Sequence, residues 1–339
     1  MQTSAHHVVV VGAGILGTAL ARQLALRGAR VTVLDREAPA AGATSVSFGW
    51  LTNQTYFRNG DSLPDTSSRH YFGLHRFALG AWRALHHALG DSLGVRWHGA
   101  VQLAPARGAD RDLLESDLAR RLAWGSPSYR VDATQARALL PGAVVADGTT
   151  GFHTPDEGSA DPNAAVAALV EAGRKLGVRY VTGTEVRAVE GDGGRASAVV
   201  TGDGRIACDD VVITCGADSP ALLEPLGIQV PLAESYGSIV HLTAVPLFLG
   251  PVLLSSDIHA IQRTDGRVVV ARHYSGSPVG DPDGLDSERL HADAVAVLPA
   301  LRAAAIEKVT VGRRIVPADG LPVIGHSPRY ANVRSVTTD

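Results

Sequence analysis

The chain has 339 residues, of which 45% are hydrophobic and 19% are charged, with a formal net charge of −3. These values are typical of a folded globular protein and exclude a disordered chain. The small net charge gives no reason to expect nucleic acid or an anionic membrane surface as a partner. No apolar run is long enough to span a bilayer, and the first residues, MQTSAHH, lack the basic region of a signal peptide, so we expect a cytoplasmic protein. Cys208 and Cys215 are the only cysteines, and they predict neither a disulfide framework nor a metal site.

The N-terminal stretch combines a buried-strand pattern with regularly spaced glycines. Val8 to Val11 form a short apolar run that is typical of a strand buried on both faces. Three glycines follow at G-x-G-x-x-G spacing, namely Gly12, Gly14 and Gly17. Leucines at helical spacing then lead to Gly28, and a second β-branched run ends at Asp35. In this setting the glycines permit a tight turn, a close approach to a pyrophosphate and close packing of the helix, while the acid accepts hydrogen bonds from a ribose. The pattern predicts a strand–helix–strand unit with a pyrophosphate at the helix N-terminus.

A loop rich in small residues follows the second strand. It spans 38–48 and reads APAAGATSVSF. Small side chains allow backbone N–H groups and hydroxyls to come close to a ligand, so this loop is a candidate to wrap a cofactor. An ordinary surface loop is the alternative.

Beyond this loop the sequence predicts helices and hairpins rather than regular βα repeats. The expected helices are 71–89, 110–124, 132–140, 161–176 and 287–301, and the expected strands are 95–104, 178–181, 184–189, 196–201, 209–218, 230–242 and 267–271. The stretch 209–218 contains an apolar strand that leads to Gly216, and such a strand can return to the nucleotide sheet. An NAD-dependent dehydrogenase, which is the alternative, would usually continue its parallel sheet directly. The interruption therefore favours a flavin enzyme with a nucleotide domain assembled from separated segments.

Five stretches together resemble the D-amino-acid oxidase-like family of FAD-dependent oxidoreductases, which contains glycine oxidase, sarcosine oxidase and D-amino-acid dehydrogenase. They are VVGAGILGTALARQLALRGARVTVLDRE at 10–37, GATSVSFGWL at 42–51, GSADPNAAVAALVEAGRKLGV at 158–178, DDVVITCGADS at 209–219 and GRRIVPADGLPVIG at 312–325. The resemblance implies an α/β (α+β) fold with a Rossmann-like FAD-binding domain assembled from discontinuous segments and an inserted antiparallel-sheet substrate domain. We expect the FAD-binding domain in 1–55, 145–230 and 310–339, and the substrate domain in part of 56–144 and in 231–309.

The resemblance also implies how FAD is held. We expect it to be non-covalent, because no cysteine stands where some relatives attach the flavin. The implied cofactor residues are Gly12, Gly14, Ile15, Leu16 and Gly17 at the pyrophosphate, Asp35 at the ribose, Arg36 over the adenine, Thr44 and Ser45 at the phosphates, Phe48, Gly49, Trp50 and Leu51 beside the isoalloxazine, Val186 at the adenine through its backbone, and Gly216 close to the cofactor.

For the substrate, the resemblance points to Arg314, which stands five residues before Asp319, where the family has its substrate arginine. A guanidinium fork matches a carboxylate in bidentate geometry. Adjacent Arg313 is the competing candidate, and a salt bridge at a sheet edge is the structural alternative for either arginine. Further catalytic-site candidates, which would line the substrate pocket, are His273, Tyr274 and Tyr236.

The implied reaction transfers a hydride from a carbon bearing an amine to the flavin and gives an imine that hydrolyses. It needs no strong protein base if the substrate amine is neutral, and the sequence shows no convincing acid–base pair. The expected partner is a small-molecule amine or amino acid, with a homo-oligomer or a partner subunit left open. The chain ends at Asp339, around where the family continues with a glycine-containing turn and a final helix. A naturally short enzyme, a truncated chain and a partner-completed subunit are all consistent with this, so a flavin-free, non-catalytic subunit is a further alternative.

Overall fold

The computed structural model describes residues 6–54, 65–230, 232–272, 286–317 and 321–337. Within these ranges the strands, numbered in chain order, are β1 (His7–Val11), β2 (Arg30–Leu34), β3 (Trp50–Leu51), β4 (Val95–Arg96), β5 (Ala100–Ala104), β6 (Tyr129–Asp132), β7 (Thr150–Thr154), β8 (Gly158–Ala160), β9 (Arg179–Val181), β10 (Val186–Asp192), β11 (Arg195–Thr201), β12 (Gly204–Ala207), β13 (Asp210–Ile213), β14 (Leu232–Leu242), β15 (Val252–Leu254), β16 (His259–Gln262), β17 (Val268–Ala271), β18 (Ile306–Pro317), β19 (Val323–His326) and β20 (Val333–Thr337). The helices are α1 (Ile15–Leu26), α2 (Asp65–Leu89), α3 (Ala109–Ala123), α4 (Ala133–Leu139), α5 (Pro162–Lys175), α6 (Ser219–Leu223) and α7 (Ser287–Val297).

The chain divides into two compact units. Unit 1 comprises 1–47, 162–235 and 312–339, and unit 2 comprises 48–161 and 236–311. This division differs from the predicted one at 48–55, 145–161 and 310–311, which the sequence assigned to the FAD-binding domain, and at 231–235, which it assigned to the substrate domain. The first two stretches belong to unit 2 because β3 and β8 pair with each other, with Trp50 opposite Ser159, and β8 also pairs with β4.

Unit 1 is built on a six-stranded sheet in the order β19-β20-β13-β1-β2-β9. The central strand β1 pairs in parallel with both β2 and β13, so the carboxyl ends of these strands meet at one edge. Val9 and Val11 pack on one face of the sheet, while Val8 and Val10 pack on the other face with Ala21 of α1. The valine run is thus buried on both faces, as predicted. The antiparallel sheet β10-β11-β12 completes the unit.

Unit 2 is built on an eight-stranded sheet in the order β18-β14-β17-β16-β15-β5-β7-β6. Neighbouring strands with a described register are antiparallel except for β15 and β5. On one face of this sheet, Val240 of β14 packs with Leu290 of α7. On the other face, Ile239 and Val269 pack with Phe48. The two units confirm the predicted combination of a nucleotide sheet from separated segments with a largely antiparallel second sheet.

Several predicted elements are divided or end earlier in the structure than in the sequence pattern. The strand predicted within 209–218 ends at Ile213, and Gly216–Asp218 form a 3-10 turn. The predicted strand 95–104 is divided into β4 and β5 at Gly99, which has a φ of +76° and where a Cβ would lie 2.8 Å from the Thr154 carbonyl oxygen. The predicted helix 287–301 ends at Val297. Leu298 leaves the helix with φ −126° and ψ 81°, because a residue that precedes a proline, here Pro299, is pushed out of the helical region.

Candidate functional site

The turn between β1 and α1 and the first turn of α1 each contain a glycine that leaves no room for a side chain. Gly12 has a φ of +107°, and a Cβ there would lie 2.6 Å from the Thr214 carbonyl oxygen. A Cβ at Gly17 would lie 2.7 Å from the Thr214 hydroxyl oxygen and inside van der Waals contact of the Gly12 carbonyl oxygen. The Thr214 hydroxyl itself donates to the Val11 carbonyl oxygen at 2.9 Å. The ends of β1 and β13 and the start of α1 are therefore packed backbone against backbone.

The first turn of α1 has the chemistry of an anion site. Gly14 is its N-cap and provides no side-chain cap, and the first turn contains no acidic residue. The first N–H groups of a helix have no partner within the helix, and the helix dipole favours negative charge beside them. The Ile15 N–H donates to the Thr44 hydroxyl oxygen at 3.2 Å, and Ile15 and Leu16 are half-buried. Such a terminus suits the pyrophosphate of a dinucleotide.

The carboxylate of Asp35 lies beside this turn, directly after β2. Its Oδ2 accepts the Ala13 N–H at 2.7 Å, and its Oδ1 accepts the Glu37 N–H at 2.9 Å. Two backbone donors thus fix the carboxylate, and each oxygen keeps a second lone pair for a ligand hydroxyl. The neighbouring Arg36 is exposed and pairs with Asp218 at 2.9 Å.

The other predicted cofactor residues of unit 1 lie around the same strand ends. Thr44 contacts the first turn of α1, whereas the Ser45 hydroxyl donates to the Gly42 carbonyl oxygen at 3.0 Å within its own 3-10 turn. Gly216 has a φ of +56° and follows β13, and a Cβ there would meet nothing within 4 Å. Val186 is buried at the start of β10. The Thr184 N–H just before it donates to the Asp35 carbonyl oxygen at 2.9 Å.

In unit 2, the segment 48–53 contains the four residues predicted to lie beside the isoalloxazine. Its second half is bound by the carboxylate of Glu157, which is fully buried. The Trp50 indole N–H donates to Glu157 Oε2 at 2.8 Å. The Thr52 hydroxyl and the Asn53 N–H donate to Glu157 Oε1 at 3.2 Å and 3.1 Å. Leu51 is buried between these positions.

Glu157 is paired with Arg121, which is also fully buried. Arg121 Nη1 lies 2.7 Å from Glu157 Oε1 and 2.6 Å from Asn53 Oδ1, and its Nε lies 2.8 Å from Asp117 Oδ2. Burial raises the pKa of the Glu157 carboxyl, against the opposing effects of Arg121 and of the Asn53 and Trp50 donors. Burial lowers the pKa of Arg121, but the carboxylates of Glu157 and Asp117 outweigh it and raise that pKa.

The first half of segment 48–53 is bound by Arg263, which follows β16 and is buried. One of its guanidinium nitrogens donates to the Phe48 carbonyl oxygen at 2.9 Å, and the other donates to the Ala160 carbonyl oxygen. Gly49 has a φ of +80°, and a Cβ there would lie 2.9 Å from Arg263 Nη1. Within the described ranges no carboxylate forms an ion pair with Arg263. Burial lowers the pKa of this guanidinium, against the opposing charges of Asp161 and Asp265.

The predicted substrate residues are described only in part. His273 and Tyr274 lie outside the described residues, as does the side chain of Arg314, whose backbone belongs to β18. Arg313 Nη2 lies 3.3 Å from Asp218 Oδ1. Tyr236 is half-buried on β14, and regular alternation counted from Val240 puts it on the α7 side of the sheet.

Sequence reasoning missed His241, which lies on β14 on the same face of the sheet as Ile239 and Phe48. Its Nε2 is 2.8 Å from the Thr310 hydroxyl oxygen. Burial lowers the pKa of His241 to about 4, with smaller contributions from Lys308 and other charges. The signal in the sequence that could have identified His241 is its position among the apolar residues at the end of the predicted strand 230–242. Glu157, Arg121 and Arg263 were also missed.

Comparison with known proteins identifies the family. The model of the FAD dependent oxidoreductase (DAO) family matches residues 7–337. The chain belongs to this family. It is 30% identical to a D-amino acid dehydrogenase of Sinorhizobium medicae, over 94% of this chain and 88% of that protein. It is 28% identical to a glycine oxidase of Pseudomonas aeruginosa, over 95% of this chain and 86% of that protein. The crystal structure of glycine oxidase from Geobacillus kaustophilus has the same fold, with a TM-score of 0.83 at 22% identity over 98% of this chain and 90% of that chain.

The predicted family, its FAD cofactor and the oxidoreductase class are thereby confirmed. The residues of unit 1 fit FAD, because the backbone-packed glycine turn, the first turn of α1 and the fixed Asp35 carboxylate suit a pyrophosphate and a ribose. Among the described residues no three His, Cys, Asp or Glu side chains are grouped as metal ligands. No helix in the described part of this FAD-dependent oxidoreductase is long and apolar enough to cross a membrane.

Proposed function

We propose that this FAD-dependent oxidoreductase oxidises the C–N bond of an amino acid or secondary amine to an imine, which water then hydrolyses. Bound FAD would supply the hydride acceptor. The observation that carries the proposal is the similarity, over nearly the whole chain, to relatives named D-amino acid dehydrogenase and glycine oxidase. Both names denote oxidation of an amino acid, and the matches cover 88% and 86% of the two relatives.

In this proposal the chain positions the reactants and supplies no acid or base. Unit 1 acts as the FAD-binding domain, with the pyrophosphate on the first turn of α1 and a ribose on Asp35. Unit 2 acts as the substrate domain, and 48–51 lie beside the isoalloxazine. The cofactor is held without a covalent bond.

We assign the substrate carboxylate to Arg314. Of the two adjacent arginines, Arg313 already has a carboxylate partner in Asp218, which is the salt-bridge role expected of the arginine that does not face substrate. A guanidinium is the side chain best suited to a bidentate carboxylate contact. The proposal therefore favours substrates that keep a free carboxylate over simple amines.

The test of the function is a titration of the purified full chain with FAD, followed by anaerobic addition of substrates. We expect a two-banded flavin spectrum that bleaches with D-amino acids, glycine or N-methylated glycine, and release of intact FAD on heating. A chain that binds FAD but is not reduced by any amino acid or amine would refute C–N oxidation. A chain that never binds FAD would favour the flavin-free alternative.

The test of the substrate residue compares Arg314→Ala with Arg313→Ala. Loss of one partner of a buried charge pair costs about 2–5 kcal/mol, so Arg314→Ala should lower kcat/KM for a carboxylate substrate roughly 30-fold or more while FAD stays bound. Arg313→Ala removes a half-exposed ion pair, whose contribution is at most about 1 kcal/mol. Equal kinetics of Arg314→Ala and wild type would exclude Arg314 from the site.

A further inference from the structure

Segment 48–53 is bound at both ends by buried charged side chains that come from elsewhere in unit 2. Arg263 binds the Phe48 carbonyl oxygen at one end. Glu157 binds the Trp50 indole, the Thr52 hydroxyl and the Asn53 N–H at the other. β3 itself contributes only the short pairing of Trp50 and Leu51 with β8.

The buried charges of Glu157 and Arg263 are not expected to contribute much to the stability of the fold. Burying an ion pair removes both partners from water, and well-packed apolar side chains of similar volume often stabilise a fold equally or better. The argument that stability is not the role applies more strongly to Arg263 than to Glu157. The described hydrogen bonds of Arg263 are to two main-chain carbonyl oxygens and not to a carboxylate. What such groups provide is directional bonding, which fixes the position of the chain that they contact.

The backbone geometry at Gly49 is consistent with a role in fixing the position of segment 48–53. Gly49 takes a positive φ and lies against the Arg263 guanidinium, so the chain can pass the arginine only at a glycine. The Gly49 carbonyl oxygen also accepts the Ala160 N–H at 2.9 Å. Phe48, Trp50 and Asn53 therefore each form a hydrogen bond with a buried charged side chain. A shift of the segment by one residue would break all three bonds.

We propose that Glu157, supported by Arg121, and Arg263 are positioning residues that hold segment 48–53 in its cofactor-bound conformation before FAD binds. The inference rests on the proposed assignment of 48–51 to the flavin ring. If segment 48–53 is already ordered, no conformational entropy is lost there when FAD binds, so FAD binds more tightly. The ordered segment also presents a fixed environment to the flavin, which the visible spectrum reports.

The experiment uses the full chain, with and without FAD, and four variants. Trp50→Phe removes the indole N–H that Glu157 accepts, and its matched control is Trp97→Phe, which removes the indole N–H donated to His86 Nδ1 at 2.9 Å. Thr52→Val removes a second donor to Glu157 and leaves the residues proposed beside the flavin unchanged. Arg263→Lys keeps the charge but replaces the planar fork, whose two nitrogens each donate to one carbonyl oxygen, by a single ammonium.

Wild type should show the same amide hydrogen-exchange protection of 48–53 with and without FAD. Trp50→Phe, Thr52→Val and Arg263→Lys should each raise the FAD dissociation constant about tenfold, increase exchange in 48–53 and shift the flavin absorption bands. Trp97→Phe should change none of these. Because Trp50 and Thr52 act through the same carboxylate, the effects of their double variant should be smaller than the product of the single effects.

Protection of 48–53 that appears only when FAD binds would overturn the inference while leaving the proposed function in place. An unchanged dissociation constant and spectrum in Thr52→Val and Arg263→Lys would overturn it as well. Failure of the proposed function is distinct, because a wild-type chain that binds FAD without being reduced by amines still tests the positioning role.

Discussion

Replacing Gly17 by alanine tests how closely α1 is packed against the glycine turn. A Cβ at this position would lie 2.7 Å from the Thr214 hydroxyl oxygen, whereas ordinary contacts of a Cβ are 3.4–4 Å. It would also overlap the Gly12 carbonyl oxygen, which is part of the main chain. The turn cannot yield by itself, because Gly12 is in turn packed on the Thr214 carbonyl oxygen.

The expected cost follows from two opposing effects. Alanine is favoured over glycine inside a helix by about 1 kcal/mol. Forcing extra volume into a packed site costs about 1–3 kcal/mol, and more where main-chain atoms must move. We expect Gly17→Ala to lower the free energy of unfolding by about 2 kcal/mol and to weaken FAD binding about tenfold, because the turn that bears the pyrophosphate must shift.

The matched control is Gly80→Ala. Gly80 lies inside α2 and is exposed, and a Cβ added there would meet no atom within 4 Å. Only the helix propensity applies there, so this variant should be more stable by up to about 1 kcal/mol. Urea unfolding of the cofactor-free chain and FAD titration measure both quantities. Gly17→Ala with wild-type stability and wild-type FAD affinity would refute the packing argument.

Two further predictions concern titratable groups. Asp35→Asn should weaken FAD binding by roughly 10-fold to 100-fold, because hydrogen bonds to a charged group contribute about 1.5–3 kcal/mol; an unchanged dissociation constant would remove Asp35 from the ribose site. His241 has a folded pKa of about 4 against an ordinary value of 6.5, so its neutral form contributes stability above about pH 6.5 that is lost as the pH falls towards 4. His241→Gln should therefore lose less stability than wild type between these pH values, by up to about 3 kcal/mol; urea titrations at several pH values decide this, and equal losses in the two chains would contradict the prediction.

The first 35 residues were predictable because their signals are local. The valine run, the glycine spacing and Asp35 each act on neighbours within one strand–helix–strand unit, and the structure places the Asp35 carboxylate on the Ala13 N–H as such a unit requires. A local pattern also located most of the helices and strands. The ends of these elements were less predictable where the conformation of a single residue interrupts the element. Gly99, with its positive φ, divides a predicted strand in this way.

The groups that hold segment 48–53 could not be predicted in the same way. Glu157 is separated from Trp50 by 107 residues, and Arg263 is separated from Phe48 by 215 residues. Each looks like an ordinary charged loop residue in its own neighbourhood, and Arg263 borders the hairpin turn of Asp265 and Gly266. Only the fold shows that these side chains are buried and which carbonyl or donor groups they meet.

The place of β1 in its sheet has a consequence for the synthesis of the chain on the ribosome. β2 follows β1 closely, but β13, the neighbour on the other side, pairs Ile213 with Val11. At about 5–20 residues per second, the roughly 200 intervening residues take about 10–40 s to make. Throughout that interval a largely apolar strand of the nascent protein has one edge without its native partner, which is the kind of edge that recruits other chains. We therefore expect this edge of β1 to be a site of aggregation until β13 has been made.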